Sequence, residues 1–179
     1  TVDGSVNTIG KNVVADVLGA KDNDVIDYDV MVNTQKIIKG CIKVNADDEV
    51  LSGLITPSLN EMAGVDSKME KNVLHIPLVL GEAATSPLHT AVAIQPKYNE
   101  GVVHVKDASQ IASVAKSLLS KEQHSDYLSK VNSEYAKLRS DYEKQQNEKM
   151  LIPLEEARKN KPAIDWSKEA LPVPKVLGI

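Results

Sequence analysis

Glycine, serine, threonine and asparagine gather at five points along the chain: Asp3–Gly10, Val32–Thr34, Ser52–Ser58, Gly81–Ser86 and Lys106–Ser109. Small and hydroxylic residues there let a backbone approach a polar ligand closely and offer it N–H and O–H donors. Taken singly, each loop is ordinary helix-capping chemistry. Together they describe a wide polar crevice suited to binding. Nothing in the spacing suggests a nucleophile with its base. The four histidines, His75, His89, His104 and His124, are dispersed, and each reads as structural or solvent-exposed. Cys41 falls on a helix-like stretch and reads as a small buried apolar residue. The glycine loops match neither a P-loop nor a dinucleotide fingerprint.

The elements that must position these loops follow from the apolar pattern. Val25–Ile26 leading into Asp29-Val30-Met31-Val32, Glu49–Ile55, His75–Gly81 and Val102–Val105 are short runs rich in branched aliphatic residues, as in parallel strands buried on both faces. Between them lie helix candidates Lys11–Ala20, Thr34–Val44, Leu59–Lys71, Pro87–Ile94 and Ser109–Leu119, with Ser58 and Ser86 where N-caps belong. This alternation predicts a doubly wound α/β fold over residues 1–120, whose ligands bind outside the carboxyl ends of the strands. Only Thr1-Val2 precede the first loop, so the first strand is largely truncated, and we expect the chain to be a piece of a longer polypeptide. Tyr127, Leu128, Val131, Tyr135, Leu138 and Tyr142 recur at three- and four-residue spacing, which predicts one long amphipathic helix over 121–146, its aromatic stripe packed on the α/β body. From Asn147 onward four prolines interrupt the chain, and 147–179 reads as an extended strap with Trp166 as its aromatic anchor.

Composition narrows the function classes. The 179 residues are 42% hydrophobic and 26% charged, enough to bury a core that must be aliphatic, since there is no Phe and one Trp. A formal charge of −4 argues against a protein that blankets nucleic-acid phosphates. One cysteine excludes a disulfide framework and a paired-cysteine metal knot. No apolar run approaches the ~20 residues of a membrane span. These features predict a cytoplasmic protein with neither nucleic acid nor membrane as partner.

Read in order, the loops resemble the cobalamin-binding domain of cobalamin-dependent methionine synthase. Leu51-Ser52-Gly53-Leu54-Ile55-Thr56-Pro57-Ser58-Leu59 resembles the family's S-G-L-I-T-P-S loop without change. Gly81–Ser86 with His89-Thr90-Ala91 resembles its G-G-A-T-T-S…H-T-A stretch, and Val105–Ser109 its last binding loop. Thr1–Val14 resembles the segment carrying its D-x-H-x-x-G motif, and Leu154–Arg158 with Asp165-Trp166 the linker toward its reactivation domain. The resemblance implies a flavodoxin-like (Rossmann-like) five-stranded parallel sheet with flanking helices, and cobalamin, as methylcobalamin, bound base-off with its tail in a slot beside the sheet. It implies a module that carries a methyl group between methyltetrahydrofolate and homocysteine, inactive alone. Its partners would be folate-, homocysteine- and S-adenosylmethionine-binding modules of one longer polypeptide. No zinc and no catalytic side chain are expected in this segment. The cofactor would be held by Gly4, Ser5, Val6, Asn7, Thr8, Gly10, Ser52, Thr56, Ser58, Gly81 and Ala108.

The sequence departs from that pattern where cobalt would be met. Ser5 stands at the aspartate position and Asn7 at that of the cobalt-ligating histidine, while Gly10 and the relay serine, Ser58, remain. An amide oxygen is a weak neutral ligand, and an amide nitrogen has no free lone pair. Glu82 replaces the family's second glycine, adding bulk and charge beside the tail slot, and Val32-Asn33-Thr34 stands where Val-Pro-Ala is usual. Three readings follow: a cobalamin module lacking its protein ligand, a degenerate interaction or regulatory domain that holds no cobalamin, and an unrelated flavodoxin-like binder of a phosphate-bearing cofactor.

Overall fold

Glu49–Ser52, Leu78–Gly81 and Val102–Val105 form β1, β2 and β3, a parallel sheet in the order β1-β2-β3 with Glu49 opposite Leu78 and Leu78 opposite Val102. The structure, a computed structural model, describes residues 1–72, 74–149, 151–165 and 167. The helices of the first unit, Thr1–Lys144, follow in the intervals: α1 (Ile9–Gly19), α2 (Thr34–Val44), α3 (Thr56–Lys71), the short α4 (Pro87–His89) and α5 (Ile111–Leu119), with α6 (His124–Asn147) running out of it. Among the described residues no helix is long and apolar enough to cross a membrane.

The alternation of side chains along each strand divides the core into two layers. Leu51, Leu78, Leu80 and Val102 face α2 and α3, packing on Ile37, Ile38, Met62, Val65 and Met69. Val79, Val103 and Val105 face the other way, onto Leu18 of α1, Ile111, Ala115 and Leu118 of α5, and Val131 and Tyr135 of α6. Helices on both faces of a parallel sheet make the doubly wound, flavodoxin-like α/β fold that the alternation predicts. The stripe of α6 is core packing as far as Leu138: Tyr127, Leu128 and Leu138 rest on the same layer, the Tyr135 hydroxyl accepts the His104 N–H at 2.9 Å, and Tyr142 lies outside that cluster.

The expected five strands are three. Val2 forms a single parallel bridge with Val32 and donates to the Ser52 carbonyl at 3.2 Å, so the order across the molecule is Val32, Val2, β1, β2, β3. That is the order of a flavodoxin-like sheet whose first two strands are one residue wide. The reason is local. Thr1-Val2 supplies one pairing residue, and the run to Val32 carries Asp29 and Met31 at φ +70° and +51°, which no strand accommodates.

Helix starts agree with the sequence where a side chain caps them. Ser86 accepts the His89 N–H at 3.1 Å, and Asn33 accepts that of Lys36 at 2.9 Å, opening α2 at Thr34. Ser58 is a correction. α3 starts at Thr56 with Ile55 at the cap and Pro57 in the first turn, so Ser58 lies inside the helix, fully buried. The Pro87–Ile94 helix is likewise only partly α: three residues, then a π-turn over Thr90–Ile94. The unit Gln145–Ile179 contains α7 (Leu154–Lys159), a helix within the stretch expected to be an extended strap, and Trp166 lies outside the described residues.

Candidate functional site

Parallel strands bring their carboxyl ends to one edge. The residues following β1, β2 and β3 therefore meet the loop ahead of α1, although they lie far apart in sequence. Beside them, between α1 and the sheet, is a cavity of about 460 Å³. Val14 and Leu18 of α1 form one wall, and Val50, Val79 and Val105 the other. Gly10, Ser52, Gly81 and Ala108 line it, so four of the residues singled out in the sequence converge here. Small side chains at these positions add little bulk to the space between helix and sheet.

The remaining expected residues do not line this cavity. Gly4 is exposed, with φ +77° that suits glycine. Val6 is exposed on the loop, and Thr8 is the residue before α1, its carbonyl accepting the Asn12 N–H at 2.8 Å. Thr56 is exposed at the start of α3. Ser5 and Ser58, 2% and 0% exposed, both have hydroxyl oxygens with no hydrogen-bond partner. Ser58 lies beneath Gly53. A Cβ added there would stand 2.6 Å from the Ser58 Cβ and 2.7 Å from the Met62 Cε. Gly53→Ala is therefore expected to cost about 1–3 kcal/mol by overpacking, read as a lowered denaturation midpoint.

Asn7 is engaged within the protein. Its side-chain N–H donates to the Glu82 carboxylate, and its oxygen lies 3.4 Å from the Ile9 N–H as acceptor. The other Glu82 oxygen accepts the Ser52 hydroxyl. Glu82, outside the expected site residues, lines the cavity and joins Ser52 to Asn7; its charge and its place in a glycine loop were the only sequence signals. The sequence also gave no notice of the cavity's far end. There Cys41, 2% exposed, donates its thiol to the Glu49 carboxylate at 3.1 Å. Burial, reinforced by Glu49, pushes the thiol well up, and burial raises Glu49 to about 7. Such a thiol stays protonated and unreactive, in keeping with a packing role. Lys11 pairs with Asp27 along the same cavity.

Three of the four histidines contact other parts of the protein through their rings. His75 pairs with Glu100 on the surface, His124 contacts the Leu118 carbonyl at the end of α5, and His104 contacts the Thr85 hydroxyl at 3.1 Å. Burial lowers the pKa of His104 and of His89. Among the described residues no three His, Cys, Asp or Glu side chains are placed to hold a metal ion.

No protein-family model matches the sequence. Among solved structures, the chain is similar to the methanol:cobalamin methyltransferase complex MtaBC from Methanosarcina barkeri, with a TM-score of 0.64 and 19% sequence identity. The match covers 75% of this chain and 49% of that one, so the chain spans about half the length of its structural neighbour. This likeness bears out the fold.

Proposed function

We propose that this chain is a cobalamin-binding module of the methionine synthase type, holding the cofactor by its tail without a protein ligand to cobalt. The observation that carries this reading is the convergence of Gly10, Ser52, Gly81 and Ala108 on one apolar-walled cavity between α1 and the strand ends. These are four of the eleven positions at which the loop resemblance expects the cofactor to be held. A cavity of about 460 Å³ falls in the range that takes a drug-sized organic group. The MtaBC structure, of the same fold, is named for a cobalamin methyltransferase, which supports a corrinoid over other ligands.

The residues present fit the tail and do not fit a lower ligand. Asn7 has its amide nitrogen committed to Glu82 and, as an amide, offers cobalt no nitrogen lone pair. Ser5 and Ser58 stand buried with unpartnered hydroxyls, where the family has a histidine-supporting relay. When bound, cobalamin supplies a cobalt centre able to carry a methyl group. The chain's own part is to hold the tail between Val14, Leu18, Val79 and Val105, to exclude water from it, and to present the corrin at the strand ends. Folate-, homocysteine- and S-adenosylmethionine-binding modules would act on that face. The bond from Asn7 to Glu82, which lines the cavity, favours a second reading, a folded module that has given up cobalamin.

A visible-absorption titration with methylcobalamin separates the two. Saturable binding with a base-off spectrum is the expected result, and Ser5→Asp with Asn7→His then returns the spectrum toward a nitrogen-ligated one. Equilibrium dialysis that detects no binding would leave the second reading in place.

A further inference from the structure

Glu82 follows β2 with φ +87°, a conformation that residues with a side chain rarely adopt. Its carboxylate reaches Ser52 at the end of β1 and Asn7 ahead of α1. It also lies against the first turn of α1, since a Cβ on Gly10 would stand 2.8 Å from Glu82 Oε1. One side chain thus ties two strand ends to the helix that forms the opposite wall of the cavity. Charge-assisted hydrogen bonds of this kind hold a strained backbone in place. Nearby cations are engaged elsewhere: Lys11 with Asp27, and the Thr1 ammonium with the Asp29 carbonyl at 2.6 Å. Lys106, the remaining cation lining the cavity, is exposed.

We propose that Glu82 is a gate on this cavity: a carboxylate bar that a ligand displaces from Ser52 and Asn7 in order to enter. The inference rests on the cavity being the ligand site proposed above, and it does not depend on the ligand being cobalamin. Entry breaks two hydrogen bonds to a charged acceptor, so the closed gate opposes every ligand, and an anionic one most. Loss of the carboxylate opens the mouth, and glycine suits the backbone there.

The test compares the parent chain with Glu82→Gly and Glu82→Gln. Gln keeps an acceptor for Asn7 and removes the charge. Without ligand, the Asn7 side-chain amide protons should exchange slowly with water in the parent by ¹⁵N-resolved NMR, and rapidly in Glu82→Gly. Calorimetric titration then uses 5,6-dimethylbenzimidazole, a neutral flat ring, and separately methylcobalamin. Affinity for the ring should rise about tenfold or more in Glu82→Gly, with Glu82→Gln between. Equal affinities in the three proteins overturn the gate, as does an Asn7 amide indifferent to Glu82 or a ring that binds none of them. Ring binding that depends on Glu82, with no methylcobalamin binding in any variant, supports the gate and sinks the cobalamin reading.

Discussion

Leu80→Ala is expected to lower the unfolding free energy by about 2–5 kcal/mol, in the upper half of that range. Leu80 is fully buried in β2, the central strand, with β1 and β3 hydrogen-bonded on either side. Its side chain packs in the layer of Met62, Val65 and Met69 from α3, and strands paired on both sides cannot slide inward to fill the space left. Urea denaturation should show the midpoint fall with an unchanged slope. Ile42→Ala, at a position 55% exposed on the outer side of α2, should stay within about 0.5 kcal/mol of the parent. A Leu80→Ala protein as stable as the Ile42→Ala one would refute the two-layer core. Glu82 lies two residues beyond Leu80, so the same strand that anchors the core places Glu82 in the cavity lining.

Asp66→Asn is expected to stabilise the protein at pH 7 by about 1–3 kcal/mol. Asp66 is 0% exposed on α3, and burial raises its carboxyl from 3.8 to about 6, against hydrogen bonds from Ser67 and the charge of Lys97. One oxygen accepts from Ser67, and the other has no partner. The sign follows from proton counting. Between pH 3.8 and about 6 the folded state holds a proton that the unfolded state has released, so stability declines as pH rises through this window and stays reduced above it. An amide carries no such charge. Urea melts should therefore diverge from pH 4 to pH 7, with the two proteins nearly equal at the acid end. Parallel pH profiles would show that Asp66 finds a compensating partner in solution.

Regular elements were legible because each is encoded over a few consecutive residues. Val102–Val105 and Thr34–Val44 have the expected bounds, since β-branched runs and the Asn33 cap act locally. The spacing of Tyr127, Val131 and Tyr135 marked the buried stripe of α6 for the same reason. The run before Val32 failed as a strand because a strand needs a neighbour: Val2 offers it one bridge, and Asp29 and Met31 turn the backbone away. In the site, the sequence could mark loops but could not say which of their atoms meet.

By itself, then, the sequence determined the doubly wound fold and the small, polar character of the loops that follow its strands. Those follow from periodicity and from the functional groups each residue carries. Only the tertiary structure decided that Gly10, Ser52, Gly81 and Ala108 share one cavity while Ser58 lies buried away from it. It alone joined Glu82 to Asn7, 75 residues earlier in the chain, and to Ser52. The physical reason is that parallel strands bring distant loops to one edge, and hydrogen bonds across that edge depend on positions that no local pattern records.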